Sequence, residues 1–362
     1  MTNESDIISL RLLDERDADD FMEWSLDENV KEFFSVGHFS TKKDAKIYIN
    51  RSIVRQQWFR AICLNEKPIG YIEVLPDHGI ERFRGEIRYM LSSKYWGRGI
   101  ATKAVKMVAS TIFVDLPYLV RLEGMVYIGN IRSQRVLEKA GFTREGVLRK
   151  YYSVFLAMEY DSSSIDITHV NEELPMKFEE TLKLSNKEDD IISLRLLDLT
   201  DVDDFMEWFT DENVNKFCSC DTSFISKEDA MQYIADVVIP HPWYRAICLN
   251  DKPIGSISVS SFHGSDICRG EIGYELSSKY WGKGIATMAV KMVASTIFVD
   301  WPHLARLEGV VAVDNIGSQR VLEKAGFIKE GVLRKYYLVK GKPIDIVMFS
   351  LLSIDQQLAY FT

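Results

Sequence analysis

The stretch that decides the fold reads Ser278-Lys279-Tyr280-Trp281-Gly282-Lys283-Gly284-Ile285-Ala286-Thr287, and residues 93–102 repeat it with a single change. An apolar helix pattern follows both copies. Two glycines separated by one residue at a helix start allow backbone N–H groups to converge on an anion, and the helix dipole adds to that attraction. The stretch therefore predicts either a phosphate-binding turn or a purely structural turn before a helix.

Longer segments recur on both sides of this stretch. Ile7–Asp14 returns unchanged as Ile191–Asp198, and Ser133–Phe142 returns unchanged as Ser318–Phe327. The displacement changes by only one residue between these segments, which indicates two whole domains rather than a solenoid of short repeats. The boundaries that we predict are 1–160 for the first domain, 161–190 for a polar linker and 191–362 for the second domain.

Within the second copy, hairpin patterns surround one strand–helix–strand unit. Tyr244–Leu249 and Ile254–Ser260 flank Asn250-Asp251-Lys252-Pro253, which is a turn sequence. Another strand pattern, Glu271–Leu276, leads into the glycine stretch and its helix, and a further strand follows. This order predicts an α/β domain whose sheet contains both strand orientations.

Two other phosphate-binding motifs fit the glycine stretch poorly. A dinucleotide-binding loop should follow its strand directly, but Ser277–Trp281 intervenes here, and Thr287 stands where the third glycine belongs. A nucleotide P-loop needs Gly-Lys-Ser/Thr four residues after a glycine, and the chain lacks that pattern.

Together with Asn315-Ile316-Gly317-Ser318 and Glu323–Phe327, the glycine stretch resembles the GNAT superfamily of acetyl-CoA-dependent N-acetyltransferases. The likeness is greatest to the branch that acetylates the amino termini of ribosomal proteins, and to its single-domain plant relatives. It implies two tandem GNAT-type domains, each a mixed, mostly antiparallel sheet flanked by helices, with CoA at a splayed pair of central strands. Lys279 departs mildly from the family, which usually has Arg or Gln there.

The resemblance also implies a site for acetyl-CoA as cosubstrate, with no metal. Backbone groups of the glycine loop would hold the pyrophosphate. The end of the Glu271–Leu276 strand, which is the fourth strand of the domain, and Asn315 would hold the pantetheine arm. A plain helix N-cap is the other interpretation of Asn315. The implied positions are Leu276, Ser277, Gly282, Lys283, Gly284, Ala286, Thr287 and Asn315, with Gly97, Gly99, Ala101, Thr102 and Asn130 in the first domain.

Acetyl transfer to an amine needs a base, and strand alternation offers Glu271. Alternation puts Glu271, Gly273 and Glu275 on one face of the fourth strand, which is plausible as the face of a cleft. An ion pair with a neighbour such as Arg269 is the other interpretation of Glu271. Many relatives use a tyrosine as acid where this chain has Leu322, so Ser318 becomes the candidate acid.

The first copy diverges in two ways that bear on activity. Arg88 replaces Gly273, which would bring a cation beside Glu86. The first copy also lacks the turn between its last two strands, so these cannot form a hairpin, and the last strand is lost, displaced or supplied from elsewhere. We therefore expect catalysis mainly in the second domain.

Composition limits the partners and the compartment. A formal net charge of −9 argues against nucleic acid or an anionic membrane as the main partner. The N-terminus carries no signal-peptide pattern, and no apolar stretch is long enough to span a bilayer. Cys63 and Cys248 recur at the same place in an apolar strand pattern, which predicts buried thiols in a reducing compartment, the cytosol or nucleus.

The sequence thus predicts an N-acetyltransferase that acts on a primary amine, whether a peptide N-terminus, a lysine or a small amine. The alternative is a CoA-binding or protein-interaction pseudoenzyme without turnover. The two domains could also pack as an intramolecular pseudo-dimer.

Overall fold

The computed structural model describes residues 6–31, 41–53, 56–151, 182–185, 190–217, 226–262 and 266–355. Contacts divide the chain into two compact units. Among the described residues, the first unit ends at Arg144, and the second takes up residues 145–151 as well as those from 182 onward. The predicted boundaries had assigned residues 145–151 to the first domain.

The first unit is built on a five-stranded mixed sheet. Its strands, in the order in which they lie side by side, are β1 (Ile8–Arg11), β2 (Phe59–Leu64), β3 (Lys67–Pro76), β4 (Arg84–Leu91) and β5 (Arg121–Glu123). Neighbouring strands are antiparallel except β4 and β5, which are parallel. Its helices are α1 (Ala18–Ser25), α2 (Glu28–Lys31), α3 (Lys42–Tyr48), α4 (Ile100–Asp115) and α5 (Ile131–Ala140).

The second unit repeats this plan with a larger sheet. Its strands are β6 (Leu182–Ser185), β7 (Ile191–Arg195), β8 (Tyr244–Leu249), β9 (Lys252–Ser261), β10 (Arg269–Leu276), β11 (Arg306–Ala312), β12 (Ile328–Val339) and β13 (Lys342–Leu352). They lie in the order β12-β13-β11-β10-β9-β8-β7-β6. Its helices are α6 (Val202–Phe209), α7 (Glu212–Asn215), α8 (Lys227–Tyr233), α9 (Ile285–Asp300) and α10 (Ile316–Lys324).

Local sequence signals account for several element boundaries. The Ser226 hydroxyl accepts a hydrogen bond from the Asp229 N–H and caps α8, a role that serine favours at a helix start. The Asn250-Asp251 turn has φ of 51° and 65°, which suits the β8–β9 hairpin. Gly326 has φ of 93° after α10, the left-handed conformation in which glycine commonly ends a helix.

Apolar side chains pack on both faces of the second sheet. Ile272, Tyr274 and Leu276 of β10 belong to the large cluster that α9 covers, which confirms the predicted alternation of this strand. A separate cluster on the other side gathers residues of α6 and α8, such as Phe205 and Ile234, around β8. Within the described residues, no helix is long and apolar enough to cross a membrane.

Part of the predicted linker belongs to the second sheet. Leu182–Ser185 forms an antiparallel edge strand on Ile191–Arg195. The rest of the predicted linker, apart from Asp190, lies outside the described residues. An edge strand so short is a weak signal in sequence, because four residues carry little periodicity.

Residues 145–151 pack against β12. Gly146 forms an antiparallel bridge with Gly331, its counterpart in the repeat. A Cβ on Gly331 would lie 2.3 Å from the carbonyl oxygen of Glu145, and one on Gly146 would lie 2.7 Å from that of Glu330. Glycine at both positions therefore permits the close approach. These residues correspond to part of β12, the strand before the last one. The last strand of the first copy, which we predicted to be lost, displaced or supplied from elsewhere, falls after residue 151, outside the described residues.

Candidate active site

The glycine loop has the same backbone shape in both units. Gly97 and Gly99 have φ of 76° and 79°, and Gly282 and Gly284 have φ of 76° and 80°. No atom lies within 4 Å of a Cβ built on any of these four glycines, so the backbone conformation rather than space requires glycine. Each second glycine caps a 16-residue helix, whose first N–H groups have no acceptor within the helix.

Basic side chains beside the loop are held on the protein surface. Lys283 lies over the Tyr280 ring, 5.2 Å from its centroid, and Lys279 pairs with Glu207 of α6. In the first unit, Arg98 donates a hydrogen bond to Asp6 at 2.8 Å. The loop therefore presents backbone N–H groups and surface cations together, a combination that fits a phosphate-bearing group.

The two central parallel strands of the second unit separate beyond their first three residues. β10 and β11 pair only at Arg269–Arg306, Gly270–Leu307 and Glu271–Glu308. Past that point β10 continues to pair with β9, and β11 continues to pair with β13. A wedge therefore opens between the strands toward the glycine loop. The first unit shows the same three-residue pairing between β4 and β5.

Ser277, at the top of this wedge, has a buried hydroxyl that lacks a hydrogen-bond partner among the described residues. A buried hydroxyl is usually paired, so Ser277 is suited to a ligand group. The neighbouring Leu276 carbonyl already accepts the Trp281 indole N–H at 2.7 Å. Ser277 thus fits the predicted role better than the Leu276 carbonyl does.

The start of α10 lies on the other side of the wedge. The Asn315 side chain accepts the Ser318 N–H at 3.1 Å and caps α10, and Asn130 caps α5 in the same way. The Tyr274 hydroxyl donates to the Ser318 carbonyl at 3.0 Å, which ties β10 to α10. Burial raises the Tyr274 pKa above its ordinary value. Tyr274 was not among the predicted site residues, although Tyr89 repeats it and donates to the Ser133 carbonyl.

The position where many relatives carry a tyrosine faces the core. Leu322 is fully buried in the large apolar cluster and lies against Gly309 of β11. Leu137 occupies the same place against Gly124 in the first unit. A tyrosine hydroxyl at either position would need a polar partner inside the core, which explains why leucine is stable there.

Glu271 lies on a polar face of the second sheet. The register pairs Ser256 with Glu275, Ser258 with Gly273, and Ser260 with Glu271. Gly273 is exposed, and a Cβ there would meet only the Ser258 hydroxyl at 3.5 Å. The serines at every second position of β9 are the sequence signal for this polar face.

His241 adds a hydrogen-bond donor to this face. Its Nδ1 accepts the Trp243 N–H at 3.2 Å, so in the neutral ring the proton lies on Nε2, which is 3.1 Å from the Ser260 hydroxyl. Burial lowers the His241 pKa, which favours this neutral form. The Ser260 hydroxyl can then accept from His241 while donating its own proton elsewhere.

In the first unit the corresponding face is filled. The register there pairs Tyr71 with Met90, Glu73 with Arg88, and Leu75 with Glu86. Tyr71 and Met90 are buried in an apolar cluster with residues of α1 and α3. Arg88 lies 2.7 Å from Glu86, which confirms the predicted pairing.

Glu73 is a buried carboxyl within this filled face, only 5% exposed. Burial raises its pKa from 4.5 to about 7; Arg88 opposes that shift, and Glu86 adds to it. The second unit has Ser258 at the repeat position, so no carboxyl is buried there.

Other predicted features lie away from these sites. His78 is an exposed residue before a short turn, and its counterpart in the repeat, His263, lies outside the described residues. Cys63 and Cys248 are buried, and burial raises the Cys248 pKa to about 11, which leaves the thiol unreactive at neutral pH. Cys218 and Cys220 lie outside the described residues.

Comparison with known proteins gives the family. A profile described as "Acetyltransferase (GNAT) domain" matches residues 8–143 and again residues 192–328. These matches cover most of the chain, which therefore belongs to the GNAT acetyltransferase family, with two domains in tandem.

Individual relatives match about one domain each. An uncharacterized N-acetyltransferase, p20 of Bacillus licheniformis, is 32% identical over 166 residues, covering 44% of this chain and 92% of the relative. An aminoglycoside N(6')-acetyltransferase type 1 of Klebsiella pneumoniae is 27% identical over 164 residues, covering 41% and 80%. The solved ribosomal-protein-S5-alanine acetyltransferase of Vibrio fischeri is 24% identical, with a TM-score of 0.42, and covers 48% of this chain and 98% of that one.

The raised Glu73 pKa makes stability depend on pH. Below pH 4.5 the carboxyl is neutral in both states, and as pH rises toward 7 the unfolded state ionises first, so the fold loses up to about 3 kcal/mol. We expect Glu73→Gln to raise the unfolding temperature of the full chain at pH 8 but not at pH 4.5. An equal change at both pH values would contradict this assignment.

Proposed function

We propose that the second unit transfers an acetyl group from acetyl-CoA to a primary amine, and that the first unit binds CoA without turnover. The observation that carries the proposal is the contrast between corresponding sheet faces. The second unit presents Ser258 and Gly273 beside Glu271, where the first presents Glu73 and Arg88 beside Glu86. An acceptor amine needs the space that the first unit fills.

Acetyl-CoA would supply a thioester as the acetyl donor. The backbone N–H groups at Gly282, Gly284, Ala286 and Thr287 would bind its pyrophosphate, with Lys283 beside them. Ser277 and the wedge between β10 and β11 would hold the pantetheine arm. Asn315 would fix the start of α10, because its side chain already serves as the cap.

Glu271 would take the proton that the amine loses as its nitrogen forms the new amide bond. An α-amine with a pKa of about 7.7–8.0 needs little help, whereas a lysine at about 10.4 depends on a base. The departing thiolate needs a proton in return, and Ser318 at the start of α10 is the candidate donor. The carboxylates Glu271 and Glu275 on this face suit a cationic amine as acceptor.

Several sequence predictions stay predictions. The boundaries 1–160, 161–190 and 191–362, the packing of two domains as a pseudo-dimer, and the identity of the acceptor belong to this group. A pseudoenzyme without turnover is the competing function, and the absence of the tyrosine at Leu322 is the observation that favours it.

Glu271→Gln tests the base. We expect kcat for a lysine-containing peptide to fall by about 10²–10⁴, with a smaller loss for a peptide α-amine, and an unchanged acetyl-CoA affinity by calorimetry. Glu86→Gln is the matched control in the first unit and should leave turnover unchanged. Equal effects of the two substitutions would exclude Glu271 as the base.

Gly273→Arg tests whether the open face accepts the amine, because it installs the residue of the first unit. Gly273 does not require a positive φ, and its Cβ direction is open, so the variant should fold. We expect acceptor turnover to fall at least tenfold while acetyl-CoA binding persists. Arg88→Gly serves as the control. Full activity of Gly273→Arg would show that the amine does not approach along this face.

A further inference from the structure

A cluster of alternating charges lies in the second unit next to the three residue pairs that join β10 to β11, where the wedge begins. The Arg306 Nε lies 2.7 Å from Glu308, and its two Nη atoms lie 2.9 and 2.8 Å from the Glu330 carboxylate. The side chains of Arg306, Glu308 and Glu330 are at most 3% exposed. Arg306 alone cannot neutralise both carboxylates, so Glu308 and Glu330 depend on further cations, and an uncompensated buried charge would be costly.

Arg149, which comes from the first repeat, brings a cation to this cluster. Its backbone N–H and its Nε donate to Glu330 at 2.9 and 3.3 Å, and its Nη1 lies 3.0 Å from Asp355. Its Nη2 donates to the Ser350 hydroxyl at 2.7 Å, and that hydroxyl donates to Glu330. Burial disfavours the charged Glu330, but Arg306, Ser350 and the Arg149 N–H outweigh it and hold the Glu330 pKa below its ordinary value.

The repeat-equivalent arginine makes the reciprocal contact outside this cluster. Arg334 corresponds to Arg149, and Glu145 corresponds to Glu330. The Arg334 Nε lies 2.7 Å from Glu145, with its side chain 59% exposed. The two repeats therefore supply the same ion pair twice, once inside the buried cluster and once at the surface.

The cluster ends next to the candidate base. Glu308 is the register partner of Glu271 in the parallel pair, so both carboxylates lie on the same sheet face. Arg269 and Glu275 lie on the strand of Glu271. Ser260 of β9 is the register partner of Glu271, and its hydroxyl lies 3.1 Å from the Nε2 of His241. The Arg269 Nη2 lies 3.9 Å from Glu308, and its guanidinium stacks on Tyr151.

We propose that Arg149 is a positioning residue for acetyl transfer in the second unit: its charge holds Glu330, Arg306 and Glu308 in place beside Glu271. This inference rests on the proposed function, because it assigns Glu271 as the base. Without Arg149, Glu330 competes with Glu308 for Arg306. The field at Glu271 then becomes more negative, which favours its protonated form.

The test is the pH profile of kcat/KM for the full chain with one peptide acceptor, whose own amine contributes equally to every variant. We expect Arg149→Met to move the acid limb to higher pH by roughly half a unit to one unit, and Arg149→Lys to move it less. Glu330→Gln should move the limb the opposite way, a change of sign that general structural damage does not produce. Arg334→Met, the matched control, should leave the limb in place.

The outcomes separate the two proposals. If the wild-type chain is active and neither Arg149→Met nor Glu330→Gln shifts the acid limb of its kcat/KM profile, the positioning role alone is overturned. Equal shifts in Arg149→Met and Arg334→Met overturn it as well. A wild-type chain that acetylates neither peptides nor small amines overturns the proposed function together with this inference. If Arg149→Met fails to fold, Arg149→Lys and Glu330→Gln still decide the matter by the sign of their shifts.

Discussion

The parallel pairing of β10 with β11 stops after three residue pairs, and the proposed chemistry depends on where it stops. At their N-terminal ends, the two strands share a hydrogen-bonded ladder that brings Glu271 beside Glu308. Toward their C-terminal ends, β10 pairs only with β9 and β11 pairs only with β13. The backbone groups that face each other across the wedge therefore require other hydrogen-bond partners. A pantetheine arm with its amide groups is suited to such edges.

The two units show how one scaffold supports different faces. Both keep the glycine loop, the capped helix and the three-residue pairing. They differ in the strand that pairs with the one leading to the glycine loop. In the second unit β9 carries serines opposite β10, whereas in the first unit β3 carries bulky residues opposite β4. Filling the face stabilises the first unit through its apolar cluster, but it also buries Glu73, whose charge Arg88 only partly compensates. The open face of the second unit forgoes that packing, a common feature of functional sites.

Much of this could be predicted from the sequence, because the signals are local. The glycine loop, the Ser226 cap, the Gly326 C-cap and the alternation of β10 all depend on neighbouring residues. The pairing of Arg88 with Glu86 was predictable because both lie two residues apart on one strand face.

The rest depended on distant contacts. Nothing near Arg149 in the sequence indicates that it packs against Glu330, and only the shared glycines Gly146 and Gly331 hint at a close approach. His241 and Ser260 meet because the loop before β8 lies beside the end of β9. The segment 182–185 is too short to show a strand period, so the sequence indicated only a linker there.

The most direct test disables one glycine loop at a time in the full chain. Valine is a poor residue for φ near 80°, so Gly282→Val with Gly284→Val should damage the second loop, and Gly97→Val with Gly99→Val should damage the first. Release of CoA thiol would be followed with peptides and small polyamines as acceptors. The account predicts that damage to the second loop abolishes acetyl transfer while damage to the first leaves it largely intact. Loss of transfer with only the first loop damaged would contradict it.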